Sequence, residues 1–178
     1  MKQSPRMAVA LPADSFVKNK PSGRRSRRFA VWSLLAGKEP EVEYRLLQEK
    51  DIAAMRLFVD DQNTSYDAAS LKNFLREKDS YGFVAVQEAR IIGFAYGYLL
   101  PKPDGNRTFY LHAVDVMAEA QGNGYGTELV KYIIGFAREL GCAKMFLIVE
   151  GDNSAAIHCY EKAGGVRVEN AHYVYHFR

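Results

Sequence analysis

The chain has few of the residues that mark secreted, membrane-spanning or metal-binding proteins. Its 178 residues include two cysteines, Cys142 and Cys159, which fits a reduced, cytoplasmic setting rather than a disulfide-rich secreted domain. No apolar run reaches the roughly 20 residues that a transmembrane helix needs, so we expect no membrane contact. Neither cysteine has a histidine at zinc-site spacing, and His172 and His176 would lie about 13 Å apart in a strand. We therefore expect no metal site.

Acidic residues are scarce in one part of the chain only. Residues 1–40 hold nine lysines and arginines and two acids, whereas residues 41–178 hold fifteen and nineteen. The net charge of +3 thus comes from the N-terminal segment. We expect residues 1–40 to be a poorly ordered basic extension, with a basic arm for nucleic acid or an acidic surface as the alternative. We expect residues 41–178 to form one mildly acidic domain that binds no nucleic acid.

A glycine-rich hexapeptide, Gln121-Gly122-Asn123-Gly124-Tyr125-Gly126, lies between an apolar run and an amphipathic run. The first run, 109–116, predicts a strand, and the second, 127–140, predicts a helix. Such a turn leaves backbone N–H groups unpaired at the positive end of the helix dipole. The sequence therefore predicts an anion-binding loop, most simply for phosphate.

The spacing of the glycines excludes two common phosphate-binding motifs. In a G-x-G-x-x-G motif that starts at Gly122 or Gly124, the third glycine would fall on Thr127 or Leu129. The chain also has no Gly-Lys-Ser/Thr run of the kind found in P-loops. The pattern that fits is Q/R-x-x-G-x-G/A, with Gln121, Gly124 and Gly126 in register.

A second segment, Asn153 to Gly164, has the pattern N-x-x-A-x-x-x-Y-x-x-x-G. Asn153 suits a helix N-cap and Gly164 a C-cap. Together, in this order and at this separation, the two segments resemble the coenzyme A loop and the tyrosine helix of the GCN5-related N-acetyltransferases (GNAT superfamily). The resemblance covers about residues 42 to 178. It implies an acetyl-CoA-dependent enzyme that is often a homodimer.

The order of elements agrees with that resemblance. We predict strands over 43–47, 83–87, 91–99, 109–116, 144–149, near 166–169 and over 173–177, and helices over 51–61, 68–78, 127–140 and 154–163. The turn between the second and third strands is expected at 88–90. This order predicts an α/β or α+β domain of the GNAT-like acyl-CoA N-acyltransferase fold. Its central mixed sheet is mostly antiparallel and is flanked by helices.

The resemblance also implies which residues bind acetyl-CoA. The backbone of Val114, Asp115 and Val116 is expected to leave the next strand and bond the pantetheine arm. The pyrophosphate is expected on the loop, with a hydroxyl from Thr127. These and the other expected cofactor-binding residues are Gln121, Gly122, Asn123, Gly124, Tyr125, Gly126, Asn153 and Tyr160.

Four residues are candidates for the chemical steps. Tyr160 corresponds to the family's tyrosine beside the sulfur and could protonate the departing thiolate. For the base that deprotonates the amine, Glu150 and His112 rank equally, with Asp115 third. In a regular strand, His112 and Tyr110 share one face and Asp115 lies on the other. Each candidate base has a structural alternative. For His112 it is a half-buried histidine with satisfied hydrogen bonds, for Asp115 a cap of the strand end, and for Glu150 a solvated acid in a loop.

Short matches, among them Leu100-Pro101-Lys102 and Phe109-Tyr110-Leu111, resemble the aminoglycoside 3-N-acetyltransferase branch, which implies antibiotic resistance. The chain departs from that branch at Gln121, where arginine is usual, and at Ala113, where the branch has aspartate. Five acids are expected near one cleft: Asp104, Asp115, Glu119, Glu150 and Asp152. We therefore expect an aminoglycoside or polyamine acceptor. A protein N-terminus, a lysine, or a CoA-binding sensor without catalysis are the alternatives.

Overall fold

The computed structural model of the protein describes residues 41–59 and 65–168. Five strands form one sheet in the order β1-β2-β3-β4-β5. They are β1 (Val42–Leu46), β2 (Ser80–Gln87), β3 (Arg90–Pro101), β4 (Arg107–Val116) and β5 (Lys144–Phe146). β1 to β4 pair antiparallel with their neighbours and β5 is parallel to β4, so the predicted mixed, mostly antiparallel sheet is confirmed.

Helices pack on both faces of the sheet. α1 (Arg56–Val59) and α2 (Ala68–Arg76) lie on one face, which we call the α2 face; α3 (Tyr125–Glu139) and α4 (Ser154–Lys162) lie on the other, the α3 face. The α3 face buries Phe83, Ala95, Phe109 and Leu111 against Leu129, Val130, Ile133 and Ala137. The α2 face buries Leu47, Met55, Val84, Val86, Ile91 and Phe94. Burial of apolar area on both faces stabilises the central strands.

The first helical segment differs from the single helix that we predict. It is a 3₁₀ helix over Glu49–Met55 that continues as α1. The Asp51 carboxylate accepts from the Gln48 amide at 2.9 Å and from Arg45 at 2.6 and 3.0 Å, which ties this tight turn to β1. Burial acts to raise the pKa of Asp51, but these hydrogen bonds hold it below its ordinary value.

The β2–β3 turn is shorter than predicted. Gln87 pairs with Arg90, so the turn contains two residues, Glu88 and Ala89. Both have positive φ, at 48° and 64°, as a type I′ turn requires. The C-terminal ends of β2 and β4 therefore lie at the same end of the sheet, where the glycine-rich loop follows β4.

A β-bulge lies in the middle of β4. Tyr96 pairs with Ala113 and Gly97 pairs with Leu111, so His112 is the extra residue. A bulge bends its strand and shifts the alternation of side chains by one position. The pairing between β4 and β5 runs from Thr108 to Tyr110 and ends there within the described residues. Beyond Tyr110 the two parallel strands therefore part.

α4 is capped at both ends as its sequence predicts. α4 closes with a Schellman motif, in which the N–H of Gly165 bonds the Tyr160 carbonyl and the N–H of Gly164 bonds the Glu161 carbonyl, each at 2.9 Å. At the other end, the Asn153 side chain accepts from the Ala156 amide at 3.0 Å. The predicted caps of this helix are confirmed.

β5 is three residues long, although we predict a strand over 144–149. Its shortness follows from the departure of β4, which removes the ladder partner on that side. Residues 165–168 have no regular structure, and the rest of the two predicted C-terminal strands lies outside the described residues, as does the extension 1–40. No helix in the described ranges is both long and apolar enough to cross a bilayer.

Candidate active site

The glycine-rich loop follows the C-terminal end of β4 and leads into α3. α3 begins at Tyr125, two residues earlier than predicted, and Gly124 is its N-cap. Gly122 and Gly124 have φ of 80° and 82°, values that non-glycine residues rarely adopt. A Cβ at either position would meet no heavy atom within 4 Å. These two glycines therefore set the path of the backbone and leave open space beside it.

The amides of the first turn of α3 have no acceptor in a preceding helical turn, as at every helix N-terminus. Gly124 has no side chain that could cap α3, and the amide of Glu128 is the one that bonds the Gly124 carbonyl, at 3.1 Å. The positive end of the α3 dipole adds to the attraction for an anion. The loop therefore has the hydrogen-bonding groups and the room that a pyrophosphate needs.

Three side chains stabilise the loop from within. Gln121 Nε2 donates to the Val116 carbonyl at 2.9 Å, and Asn123 Nδ2 donates to the carbonyls of Ala120 and Gln121 at 3.2 Å. The Tyr125 hydroxyl accepts from Gln87 Nε2 at 3.1 Å. These three side chains are thus hydrogen-bonded to other groups of the protein, so we expect the loop to bind a ligand mainly through its backbone.

Gly126 and Thr127, in the first turn of α3, pack against Cys159 of α4. A Cβ on Gly126 would lie 3.4 Å from Cys159 Sγ and 3.4 Å from Val116 Cγ2, so a larger residue would push these elements apart. The Thr127 hydroxyl, expected to face the ligand, is instead directed toward Cys159 Sγ at 3.6 Å, because Thr127 is buried between α3 and α4. What Thr127 offers to a ligand is its amide.

Tyr160 lies one residue beyond Cys159 and packs against the core of the α3 face. Burial raises the pKa of its phenol, and the nearby Cys159 and Asp115 raise it further. The phenol is therefore protonated at neutral pH and can donate a hydrogen bond or a proton.

The bulge corrects the predicted orientation of Asp115. The expectation that Asp115 lies on the opposite face from Tyr110 and His112 is wrong. Asp115 pairs with Phe94 and Tyr110 pairs with Tyr98, and Phe94 and Tyr98 are both on the α2 face. The extra residue in the bulge moves Asp115 to the same face as Tyr110. Sequence alternation alone gives no sign of this shift.

Asp115 lies on β4 beside the gap, close enough to both faces of the sheet for its charge to act on residues of each. Its charge contributes to the raised pKa of Tyr96 on the α2 face and of Tyr160 on the α3 face. The side chain is exposed, yet surrounding protein atoms displace part of its water and raise the pKa of the Asp115 carboxyl itself. The Val114 and Val116 side chains pack toward the α3 face, so β4 presents its backbone to the gap.

His112 lies among aromatic rings on the α2 face. Its Nδ1 is 3.1 Å from the Tyr110 hydroxyl, and its ring centroid is 4.9 Å from that of Tyr96. The hydrogen bond to Tyr110 engages Nδ1 and leaves Nε2 for another partner. Tyr96 and Tyr98 were not predicted as site residues; their alternation in β3 was the available signal.

The five acids do not gather around one cleft as predicted. Asp104 lies in the β3–β4 turn, about 25 Å along β4 from Asp115. It accepts from the Lys102 ammonium at 3.2 Å. Glu119 is paired with Arg90 at 2.5 Å. Glu150 and Asp152 are exposed in the turn before α4. No group of three metal-ligating side chains occurs among the residues that the structure describes.

Comparison with known proteins identifies the family. The family model "Acetyltransferase (GNAT) family" matches residues 45–165, which is more than half of the chain. The chain therefore belongs to the GNAT family. The predicted fold, enzyme class and acetyl-CoA cofactor are confirmed at the level of this family.

Curated relatives include mycothiol acetyltransferases. That of Saccharomonospora viridis is 32% identical over 116 residues, which cover 61% of this chain and 38% of the relative. That of Rhodococcus opacus is 32% identical over 83 residues, covering 46% of this chain and 27% of the relative. The matched part of this chain thus spans well under half the length of these relatives.

Solved structures share the fold at low sequence identity. An aminoglycoside acetyltransferase from an uncultured soil metagenomic sample, in complex with sisomicin, has a TM-score of 0.69 at 20% identity and covers 77% of this chain and 97% of that one. Aminoglycoside N-acetyltransferase AAC(6')-Iy in complex with CoA has a TM-score of 0.70 at 16% identity, covering 80% and 99%. Ribosomal-protein-alanine N-acetyltransferase from Brucella melitensis biovar Abortus 2308 has a TM-score of 0.65 at 20% identity, covering 76% and 99%.

The loop geometry predicts that Gly124→Ala weakens coenzyme A binding. The new methyl group would occupy the open space beside the amides, and an alanine at φ of 82° is strained. We expect the Kd for CoA, measured by isothermal titration calorimetry, to rise about tenfold. This is the effect expected from the loss of one charge-assisted hydrogen bond.

Gly105→Ala is the matched control, because Gly105 also has φ of 82° and open space but lies in the remote β3–β4 turn. An equal loss of CoA affinity in both variants would contradict a role for the loop in binding.

Proposed function

We propose that the protein is an acetyl-CoA-dependent N-acetyltransferase that acetylates a primary amine of a cationic small molecule, an amino sugar of the aminoglycoside kind or a polyamine. The observation that carries the proposal is the gap where β4 leaves β5. The open loop and Tyr160 lie on the α3 face of this gap, and Tyr110, His112 and Asp115 lie on the α2 face. A cofactor and an acceptor can therefore approach one another from opposite faces.

The residues present fit coenzyme A. In the proposal, the amides of Gly122 to Thr127 hold its pyrophosphate, and the backbone of Val114 to Val116 bonds its pantetheine arm. Asn153 then contributes by capping α4. When bound, acetyl-CoA would supply an acetyl group activated as a thioester, with coenzyme A as the leaving thiol. A backbone N–H of β4 directed into the gap would stabilise negative charge on the thioester oxygen.

The acceptor amine must lose a proton before it can attack. His112 is our first choice as base, because Tyr110 engages its Nδ1 while Nε2 is available. Asp115 is also well placed, and burial brings the pKa of its carboxyl closer to neutrality. Glu150 has the weaker support, since the hydrogen bond that it accepts from the Asn153 amide uses its backbone carbonyl and not its carboxylate.

Tyr160 is proposed to give its proton to the departing sulfur. Its raised pKa keeps the phenol protonated at the pH at which the base is active. The field of Asp115 contributes to that raised pKa, so the acid and the acceptor side of the site are electrostatically linked. A cytoplasmic setting and a homodimer stay predictions, as does a role in antibiotic resistance.

The function is tested by acetyl-CoA consumption with a panel of amines. The panel contains an aminoglycoside, spermidine, the acceptor of the mycothiol acetyltransferases, and peptides that begin with alanine or serine. We expect turnover with the small molecules. Turnover with peptides alone would favour a protein acetyltransferase, a function named for the Brucella structure. CoA binding without turnover for any amine would favour a sensor.

Tyr160→Phe removes the proposed acid and keeps the ring that packs in the core. We expect kcat to fall about 100-fold, the usual contribution of one general acid, while the Kd for CoA changes less than twofold. Tyr132→Phe is the control. Tyr132 lies on α3 and, like Tyr160, is half-buried and has a pKa that is raised by burial. An unchanged kcat for Tyr160→Phe would remove Tyr160 from the mechanism.

The choice of base is tested by matched amide variants. We expect His112→Gln to lower kcat/KM about 100-fold, the usual contribution of one general base. Glu150→Gln should cost less than threefold in kcat/KM, because the proposal gives that carboxylate no part in the proton transfer. A larger loss for Glu150→Gln than for His112→Gln would reverse the assignment.

A further inference from the structure

Five aromatic side chains line the α2 face beside the gap. We call this surface the aromatic shelf: Tyr96, Tyr98, Tyr110, His112 and Phe146. Tyr110 stacks between Tyr98, at a centroid distance of 6.4 Å, and Phe146, at 5.0 Å. His112 is exposed, as is 39% of the Phe146 surface. The three tyrosines are half-buried, and Phe74 of α2 packs edge-on against Tyr96 and Tyr98. A partly exposed aromatic surface beside a reaction site is suited to binding the body of a substrate.

The two ends of the shelf carry opposite charges. Asp115 lies at the Tyr96 end, where its charge contributes to the raised pKa of that phenol. Lys144 lies at the other end, with its ammonium 6.0 Å from the centroid of the Phe146 ring. Tyr110, which pairs with Phe146, is about 13 Å along β4 from Asp115. The shelf therefore has a negative charge at its Asp115 end and a positive charge at its Lys144 end.

We infer that the aromatic shelf binds an acceptor with one ammonium group at its reacting end and a neutral, hydroxylated ring as its body, such as a monoamino sugar. The ammonium group faces Asp115, and the ring lies over the aromatic side chains toward Phe146. This inference rests on the proposed function and narrows it, because it places monoamines ahead of polyamines and polycationic aminoglycosides.

Each part of the acceptor matches a feature of the shelf. A carboxylate and aromatic ring faces both attract an ammonium group, so its binding is favoured at the Asp115 end. The hydroxyls of Tyr96, Tyr98 and Tyr110 can donate to and accept from the hydroxyls of a sugar. A second ammonium group near Phe146 would be repelled by Lys144, which already provides the cation at that ring.

The scattered acids support the same conclusion. Asp104 lies near the far end of β4 beside Lys102, and Glu119 is paired with Arg90. Among the described residues, Asp115 is the carboxylate that contributes to the raised pKa of the shelf residue Tyr96. A polycation would need several carboxylates along its length to offset the loss of its hydration. Asp115 provides such a carboxylate at the Tyr96 end, whereas near Tyr98 a surface pocket holds Glu77 and Asp79 together with Lys78, whose ammonium offsets part of their charge.

Lys144→Glu tests the inference as a gain of function. Steady-state kinetics would be measured with glucosamine, kanamycin and spermidine for the wild type and the variant. In the wild type, kcat/KM is expected to be highest for glucosamine. In Lys144→Glu, kcat/KM for kanamycin and spermidine is expected to rise about fivefold to tenfold relative to glucosamine, since the charge at the Phe146 end is reversed.

Lys131→Glu is the control with the same change in net charge, because Lys131 lies on the solvent side of α3. It should leave the relative kcat/KM values of the three amines unchanged. A wild-type preference for spermidine or kanamycin, or no relative gain in Lys144→Glu, would overturn the inference while leaving the acetyltransferase proposal intact. No turnover with any amine by a protein that binds CoA would overturn both.

Discussion

The site depends on one constraint in the sheet: β4 leaves β5 after three paired residues. A regular parallel pair would continue its ladder, and the sheet would then be closed to ligands along its length. The extra residue at His112 bends β4 at the point where the pairing ends, so the backbone of residues 114–116 faces a gap. The glycine-rich loop follows at the end of the same strand. One local irregularity therefore places strand backbone, loop amides and Tyr160 around the same opening.

The same irregularity determines which side chains serve the acceptor. Without the bulge, Asp115 would point to the α3 face, where α3 and α4 would leave it little access to an incoming amine. With the bulge, it joins Tyr110 and His112 on the α2 face, and its charge still reaches Tyr160. The separation of cofactor and acceptor onto opposite faces thus follows from the register of a single strand. The polarity of the aromatic shelf adds a basis for choosing among amines.

The sequence was sufficient to predict features that depend on local chemistry. The position of the glycine-rich loop, the caps at Asn153 and Gly164, and the order of the elements follow from turn residues and periodicity. Features that depend on register were not predictable. The bulge at His112 reversed the expected face of Asp115, and the turn at Glu88 and Ala89 was one residue shorter than expected. Asp104, expected near the other four acids, was separated from Asp115 by the length of β4. Phe146 and Lys144 join the site through parallel pairing, which no local pattern encodes.

In the proposed mechanism, the backbone around one gap holds coenzyme A. This binding is tested most directly by amide chemical shifts in ¹H–¹⁵N NMR spectra of the protein as CoA is added. We expect large shifts for the amides of residues 122–127 and 114–116, and small shifts in β1 and in the β3–β4 turn. Unchanged amides in the loop and β4, with CoA bound and shifts elsewhere, would contradict it.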